Sequence, residues 1–318
     1  MNETTAFSRS NLAFVFPGQG SQSVGMMSAM QDETLIRDTF REASDALGFD
    51  LWALIQDGPE SELGQTHNTQ PAMLTAGVAL WRLWCQRSPI RPAIMAGHSL
   101  GEYTALVCAD ALKFDAAVRL VAERGRLMQE AVAEGEGAMA AILGLDDEQV
   151  GSVCSVAAAG QVVAPVNFNS PGQVVIAGHR AAVERAAEAA KEAGAKRALM
   201  LPVSVPSHCS LMEPAAIALG NTLAQVTLKT PSIPVLHNYD VQTHSDPNGI
   251  REALTRQLHR PVRWVESVQA MVGRGADTLI ECGPGKVLAG LAKRIDRKLK
   301  AVAVVDSATL DSALEGLQ

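Results

Sequence analysis

This chain has few aromatic residues, no excess of positive charge and no long apolar run. Of its 318 residues, 4% are aromatic, and the net charge is −7. Proteins that bind nucleic acid through their overall charge carry a basic footprint, which is missing here. No run approaches the roughly 18 apolar residues that a membrane span needs. We therefore expect neither nucleic acid nor a membrane as a partner.

The five cysteines form no recognisable pattern. No two of them have C-x-x-C spacing and their number is odd, so the sequence indicates neither a zinc site nor a disulfide framework. Scattered thiols fit a reducing compartment. The longest apolar run near the N-terminus, residues 12–16, is too short for the apolar part of a signal peptide. These observations predict a cytoplasmic protein without a metal.

What the chain does have is a large apolar fraction, 47%, and alternating strand and helix patterns. This alternation is typical of an α/β fold with a mostly parallel sheet. The predicted strands cover residues 12–16, 92–97, 233–237 and 278–282. The predicted helices cover residues 34–47, 113–133 and 250–258, a segment from Pro71 to about 87 and a basic segment from 286 to about 298.

The middle of the chain follows a different order. Residues 134–202 predict strand, helix, strand, strand, helix and strand, which is the ferredoxin-like order. We interpret them as a small subdomain inserted into an α/β-hydrolase-like core, which residues 1–133 and 203–318 form together. The predicted strands of the subdomain are 137–143, 162–168, 173–177 and 197–203, and its helices are 146–157 and 181–193.

Residues 97–101, G-H-S-L-G, are the most informative stretch. Between a strand and a helix, G-x-S-x-G makes a nucleophile elbow, in which the serine lies on a strained turn. Small flanking residues let the strand and the helix approach, and the backbone N–H of Leu100 is placed to hydrogen-bond an oxyanion. The pattern predicts acyl transfer through Ser99, and an ordinary glycine-rich turn is the alternative.

A serine nucleophile needs a base, because its hydroxyl is a poor nucleophile near neutral pH. The chain has seven histidines, and their spacing does not select one. His208 is favoured because it lies in a loop where the subdomain returns to the core; a loop histidine without a role is the alternative. His237, His244 and His259 form no close cluster with carboxylates in the sequence, so we interpret them as solvated or locally satisfied.

Five motifs in order along the chain resemble bacterial malonyl-CoA:acyl carrier protein transacylases, and the resemblance covers about residues 12–294. It implies a ping-pong transfer of malonyl from malonyl-CoA to the phosphopantetheine thiol of acyl carrier protein, in fatty acid synthesis. Because one thioester is exchanged for another, we expect no need for ATP, a metal or a redox cofactor, and we expect a monomer. The motifs are FVFPGQGSQ at 14–22, GHSLGEY at 97–103, NFNSPGQ at 167–173, VPSH at 205–208 and ECGPGK at 281–286.

The resemblance also implies roles for the reacting groups. Ser99 would be the nucleophile and His208 its general base and acid. The oxyanion hole would use the backbone N–H groups of Gln19 and Leu100. The backbone carbonyl of Gln257 would orient His208, in place of the carboxylate of a catalytic triad.

Two further residues are expected to contact the substrate. Arg124 matches the arginine that binds the malonyl carboxylate; from the residues alone it would be a solvated helix charge, and Arg126 is the neighbouring candidate. His98 is expected to shape the pocket, and ordinary packing explains it equally well.

A surface for the acidic carrier protein is predicted on the basic residues Lys286, Lys293, Arg294, Arg297 and Lys298, for which a solvated helix face is the alternative.

Two other classes of protein remain as alternatives. A serine hydrolase of the α/β-hydrolase type, such as a thioesterase, would carry an acidic residue, then a histidine near the C-terminus, and an HGGG-like oxyanion loop. This chain has no HGGG run. A non-catalytic module that docks on carrier proteins would not need Ser99, His208 and Arg124 together.

Overall fold

A computed structural model describes residues 6–203 and 205–317 of the chain, and two β-sheets organise them. The strands are β1 (Phe7–Phe16), β2 (Ile90–Gly97), β3 (Gly137–Leu143), β4 (Val163–Ser170), β5 (Gln173–His179), β6 (Arg197–Met200), β7 (Val235–Leu236), β8 (Thr278–Cys282) and β9 (Lys300–Val304). The α-helices are α1 (Thr34–Leu47), α2 (Leu51–Asp57), α3 (Glu60–Leu63), α4 (Thr66–Arg87), α5 (Gly101–Cys108), α6 (Phe114–Glu130), α7 (Asp147–Ala157), α8 (Arg180–Glu192), α9 (Glu213–Gln225), α10 (Pro247–Gln257), α11 (Trp264–Gly273), α12 (Val287–Ile295) and α13 (Ser307–Glu315).

The larger sheet has five parallel strands in the order β7-β2-β1-β8-β9. Successive side chains of the central strand β1 enter two different cores, because neighbours on a strand point to opposite faces. Leu12 and Phe14 pack into the cluster that α1, α4 and α6 cover, and Ala13 and Val15 pack into the cluster that α11 and α12 cover. The mostly parallel sheet with helices on both faces confirms the predicted fold class.

The smaller sheet has four antiparallel strands in the order β4-β5-β3-β6. Helices α7 and α8 pack on one of its faces around a core that includes Ile142, Val150 and Val183. This is the predicted ferredoxin-like arrangement, and it lies inside residues 134–202. The division into that subdomain and a core of residues 1–133 and 203–318 stays a prediction, and residues 1–5, 204 and 318 of those ranges lie outside the described residues.

The predicted start of helix α4 is wrong. Helix α4 begins at Thr66 rather than near Pro71, which lies inside it. The extra turn is held by contacts that no local pattern reveals: the backbone N–H of His67 donates to Oε1 of Gln129 (3.2 Å), and Oγ1 of Thr69 donates to the Leu63 carbonyl (2.5 Å).

The sequence analysis makes no prediction for several elements, which are α2, α3, α9, α11, α13 and β9. No described helix is long and apolar enough to cross a bilayer.

Candidate active site

The turn between β2 and α5 places Ser99 in a left-handed backbone conformation, with φ at +52°. Such a conformation is costly for a residue with a side chain and persists only where the surroundings enforce it. The flanking glycines show what enforces it. A Cβ on Gly97 would lie 1.8 Å from the backbone carbon of Gly101, and a Cβ on Gly101 would lie 2.0 Å from the Phe16 carbonyl oxygen. The predicted strand, sharp turn and helix are therefore present.

His208 lies beside the serine. The hydroxyl oxygen of Ser99 is 2.7 Å from Nε2 of His208, and Nδ1 of His208 is 2.7 Å from the backbone carbonyl of Gln257. Because a carbonyl only accepts, Nδ1 carries the proton and Nε2 accepts from the hydroxyl. The loop is also pinned by its backbone, since the N–H of His208 donates to the Leu258 carbonyl (3.1 Å). This is the arrangement of a nucleophile, a base and a group that orients the base.

Burial keeps the base neutral. Burial, followed by the positive charge of Arg124, lowers the pKa of His208 from its ordinary value of 6.5 to about 3. At neutral pH, His208 is therefore ready to accept a proton from Ser99. A buried imidazolium beside a guanidinium is costly, so protonation of His208 needs a negatively charged neighbour.

Arg124 is fully buried on α6, so it is not the solvated helix charge of the alternative. Its guanidinium donates to Oε1 of Gln70 (2.8 Å) and to Oε1 of Gln257 (3.1 Å), and it lies 3.4 Å from the Ser99 hydroxyl. All of these acceptors are neutral, and its Nε is buried without a partner among the described residues. Burial lowers the pKa of Arg124. A buried cation that is bonded only to neutral oxygens and lies next to a serine hydroxyl has the chemistry to bind an anionic group.

Arg126, the neighbouring candidate, points away from the site. Its guanidinium is exposed and bonds to Glu123 and Glu130 of its own helix. It therefore behaves as an ordinary surface arginine with i,i+3 and i,i+4 partners.

The two predicted oxyanion donors lie on turns that pack against each other. The turn after β1 touches the elbow, because a Cβ on Gly18 would lie 2.5 Å from the His98 carbonyl oxygen. Within the described part of the chain, the N–H groups of Gln19 and Leu100 donate to no acceptor. Both are therefore open to an oxyanion, although their role remains a prediction.

His98 joins the two sheets beside the site. Its Nε2 is 2.8 Å from Oδ1 of Asn169 at the end of β4, and its ring packs edge-on against Trp264, with the centroids 5.4 Å apart. Burial lowers the pKa of His98, so the ring is neutral and Nε2 donates to Asn169. These contacts fit a residue that shapes the wall of the pocket and equally fit packing.

The sequence analysis missed a buried polar cluster under the elbow. Glu102 and Asn238 are both fully buried and bond to the residues around Ser99. His237 and His244, which the sequence analysis interprets as solvated or locally satisfied, each bond to a carboxylate: Nδ1 of His237 lies 2.6 Å from Glu102, and Nε2 of His244 lies 2.8 Å from Asp240. The partners are distant in sequence or offset by a turn, so spacing alone did not show them. Asn238 does follow β7 directly, at the edge where parallel strands collect functional groups.

The comparisons with known proteins agree with one another. The profile of the family described as "Acyl transferase domain" matches residues 13–311. The chain is 59% identical over 303 residues to the malonyl CoA-acyl carrier protein transacylase of Salmonella typhimurium, which covers 95% of this chain and 98% of that protein.

Two solved structures are also similar. An acyl carrier protein S-malonyltransferase from Vibrio cholerae superposes with a TM-score of 0.93 and 58% identity, over 96% of this chain and 100% of that one. A malonyl-transacylase in complex with its type II PKS acyl-carrier protein superposes with a TM-score of 0.95 and 56% identity, over the same shares of the two chains.

Proposed function

The chain belongs to the acyl transferase domain family, and we propose that it transfers a malonyl group from malonyl-CoA to the phosphopantetheine thiol of acyl carrier protein. It would be an acyl carrier protein S-malonyltransferase that supplies fatty acid synthesis. The observation that carries the proposal is the buried Arg124 guanidinium 3.4 Å from the hydroxyl that His208 activates.

The first half-reaction forms an ester on Ser99. The proton of its hydroxyl moves to Nε2 of His208 while the oxygen attacks the thioester carbonyl carbon. The oxyanion that forms is stabilised by the N–H groups of Gln19 and Leu100, and losing one such donor typically costs about 2.7–4 kcal/mol. The C–S bond then breaks, and coenzyme A leaves with the proton from His208.

The second half-reaction runs the same steps in reverse. The carrier thiol gives its proton to His208 and attacks the ester carbonyl, and the serine leaves with that proton. One thioester is exchanged for another, so these steps balance without ATP or an electron donor. Throughout, Arg124 would hold the free carboxylate of the malonyl group with two charge-assisted hydrogen bonds.

The remaining expectations belong to this proposal. We place the enzyme in the cytoplasm, which fits its five free cysteines. The carrier protein would dock on the basic residues around α12, which are exposed: Lys286, Lys293, Arg294, Arg297 and Lys298. The monomeric state stays a prediction.

A transfer assay separates this function from hydrolysis. The enzyme is loaded with malonyl-CoA and then mixed with acyl carrier protein or with buffer alone. We expect malonyl to appear on the carrier protein and the loaded enzyme to persist in buffer. Rapid release of free malonate in both samples would indicate a thioesterase instead.

Reversing the charge of Arg294 and Lys298 tests the docking surface. It should slow only the second half-reaction, the transfer of malonyl from Ser99 to the carrier protein.

A further inference from the structure

A buried carboxylate lies directly beneath the nucleophile. Glu102 is the second residue of α5, and its side chain is fully buried. One oxygen, Oε2, accepts from the backbone N–H of Asn238 (2.9 Å) and from Nε2 of Gln257 (2.9 Å). The other, Oε1, lies 2.6 Å from Nδ1 of His237. A buried carboxylate persists only when its lone pairs are occupied in this way.

The two amides that Glu102 holds also bond to the backbone of the nucleophile. Oδ1 of Asn238 accepts from the Ser99 N–H (2.7 Å), and Nδ2 of Asn238 donates to the Gly97 carbonyl (2.7 Å). Nε2 of Gln257 donates to the Ser99 carbonyl (2.9 Å). The backbone N–H and the backbone carbonyl of Ser99 are therefore both held by residues that bond to the Glu102 carboxylate.

Glu102 also fixes which way the amide of Gln257 points. The NH₂ group of Gln257 faces Oε2 of Glu102, because a carboxylate oxygen accepts the hydrogen bond. The amide oxygen of Gln257 then faces Arg124, to which it is bonded. The backbone carbonyl of the same residue holds His208. Nucleophile, base and guanidinium are thus all tied, through Gln257 or Asn238, to one carboxylate that touches none of the reacting atoms.

We propose that Glu102 is a positioning residue, whose Oε2 atom holds Asn238 and Gln257 in place and so fixes the geometry between Ser99 and His208. This role rests on the proposed function of Ser99 as the nucleophile. In a Ser-His-Asp triad, the aspartate orients the histidine by direct contact. Here Glu102 would orient His208 indirectly, through Gln257.

The proposal predicts that an acceptor oxygen, rather than the charge, is what matters. In a Glu102→Gln variant, the amide oxygen must take the Oε2 position, because two N–H donors face it. The new NH₂ group then faces Nδ1 of His237, which becomes an acceptor if the ring proton moves to Nε2. That nitrogen is buried without a partner among the described residues. Glutamine therefore keeps both hydrogen bonds at the Oε2 position, at the cost in stability of a buried, unpaired N–H on Nε2 of His237. Methionine, which has a similar shape, leaves both of the donors that faced Oε2 unpaired.

The test measures the reactivity of Ser99 itself. A fluorophosphonate probe forms a P–O bond to an activated serine and releases fluoride, and it carries neither a carboxylate nor coenzyme A. We expect Glu102→Met to slow labelling by about 10²-fold, the typical cost of misplacing reacting groups by about 1 Å. Glu102→Gln should label at close to the wild-type rate. In malonyl-CoA loading, the rate constant of acylation should fall in the methionine variant, and KM should rise as well because Gln257 also bonds to Arg124.

A second buried glutamate provides the control. Glu281 is fully buried too, and its carboxylate accepts from the N–H groups of Leu288 (3.1 Å) and Ala289 (2.8 Å) at the start of α12. Glu281→Met should lower thermal stability as Glu102→Met does, yet label at the wild-type rate per folded molecule. If Glu102→Met does not fold, Asn238→Ala takes its place and should slow labelling as well.

The outcomes separate the two proposals. A wild-type enzyme that the probe does not label at Ser99 would contradict the proposed function. Normal labelling of the wild type together with equal labelling of Glu102→Met, or of Asn238→Ala, overturns the positioning role. Equal losses in the glutamine and methionine variants overturn it as well, because the effect would then lie in the charge.

Discussion

The two sheets of this protein contribute very unequally to its candidate active site. Gln19, Ser99 and Asn238 each follow a strand of the parallel sheet, β1, β2 and β7, on the connections that leave its carboxyl edge. Arg124 lies on α6, which packs on the same sheet. His208 lies in the loop that leads from the antiparallel sheet back to the core, and the backbone carbonyls of Gln257 and Leu258 hold it at the site. The antiparallel sheet reaches the site through Asn169, which bonds to His98.

The difference follows from strand direction. All parallel strands end at the same edge, so the connections that follow them converge on one place. Antiparallel strands end alternately at opposite edges, and their connections do not converge. We therefore expect substitutions around the parallel sheet to change chemistry and acyl selectivity, and substitutions on the antiparallel sheet to change only the fit of the pocket.

Removing the base should have the largest effect among these tests. His208→Ala leaves Ser99 without a proton acceptor, so its acylation by malonyl-CoA should fall by about 10²–10⁴-fold. The matched control is His259→Ala, because this histidine directly follows α10, whose last residues hold His208, yet among the described residues it has no hydrogen bond to Ser99. Pre-steady-state loading measures both, and comparable losses in the two variants would contradict the assignment of His208.

Removing the buried cation should change selectivity. Arg124→Met should slow malonyl loading about 10–100-fold, since hydrogen bonds to charged groups contribute about 1.5–3 kcal/mol. Acetyl loading should persist, because an acetyl group has no carboxylate to bind. Arg126→Met on the same helix is the control and should change neither rate. Unaltered preference for malonyl over acetyl in the Arg124 variant would remove its proposed role.

A substitution on the antiparallel sheet tests most directly whether this sheet affects only the fit of the pocket. Asn169→Ala removes one hydrogen bond to the neutral His98 ring, a loss of about 0.5–1.5 kcal/mol. We expect a modest rise in KM for malonyl-CoA and little change in kcat. Gln161→Ala, at an exposed position before β4, should have no effect. A collapse of kcat in the Asn169 variant, as deep as that of His208→Ala, would show that this sheet takes part in the chemistry.

We expect the acylation rate to change least when the pH is varied. Because the pKa of His208 in the folded enzyme is about 3, the base stays neutral as pH falls through 6.5, and single-turnover acylation should stay flat there. The unfolded chain does take up a proton near pH 6.5, so folding stability should decline below that pH. Arg124→Met removes a positive neighbour and should move the inflection toward neutral pH. A wild-type loss of rate centred near 6.5 would contradict the low pKa.

The sequence predicted the elements whose signals are local. The elbow at residues 97–101 follows from sterics, because only glycine fits where β2 and α5 nearly touch. The resemblance to a known family, rather than any pattern, supplied Arg124 and Gln257. From spacing alone, the buried Arg124 cannot be distinguished from Arg126, which lies two residues further on and is exposed and paired with Glu123 and Glu130.

The cluster beneath the elbow could not be predicted for a physical reason. Glu102 and Asn238 are 136 residues apart in the chain, and they meet only when β7 pairs with β2. The start of α4 was misplaced for a similar reason, since its first turn depends on contacts with α6. Long-range polar contacts of this kind leave no periodicity in the sequence.

The central claim is a covalent malonyl ester on one serine. The most direct test is mass spectrometry of the peptide that contains Ser99 after brief exposure of the enzyme to malonyl-CoA. We predict that this peptide gains the mass of one malonyl group and loses it when acyl carrier protein is added. A peptide that stays unmodified while malonyl still reaches the carrier protein would contradict the account.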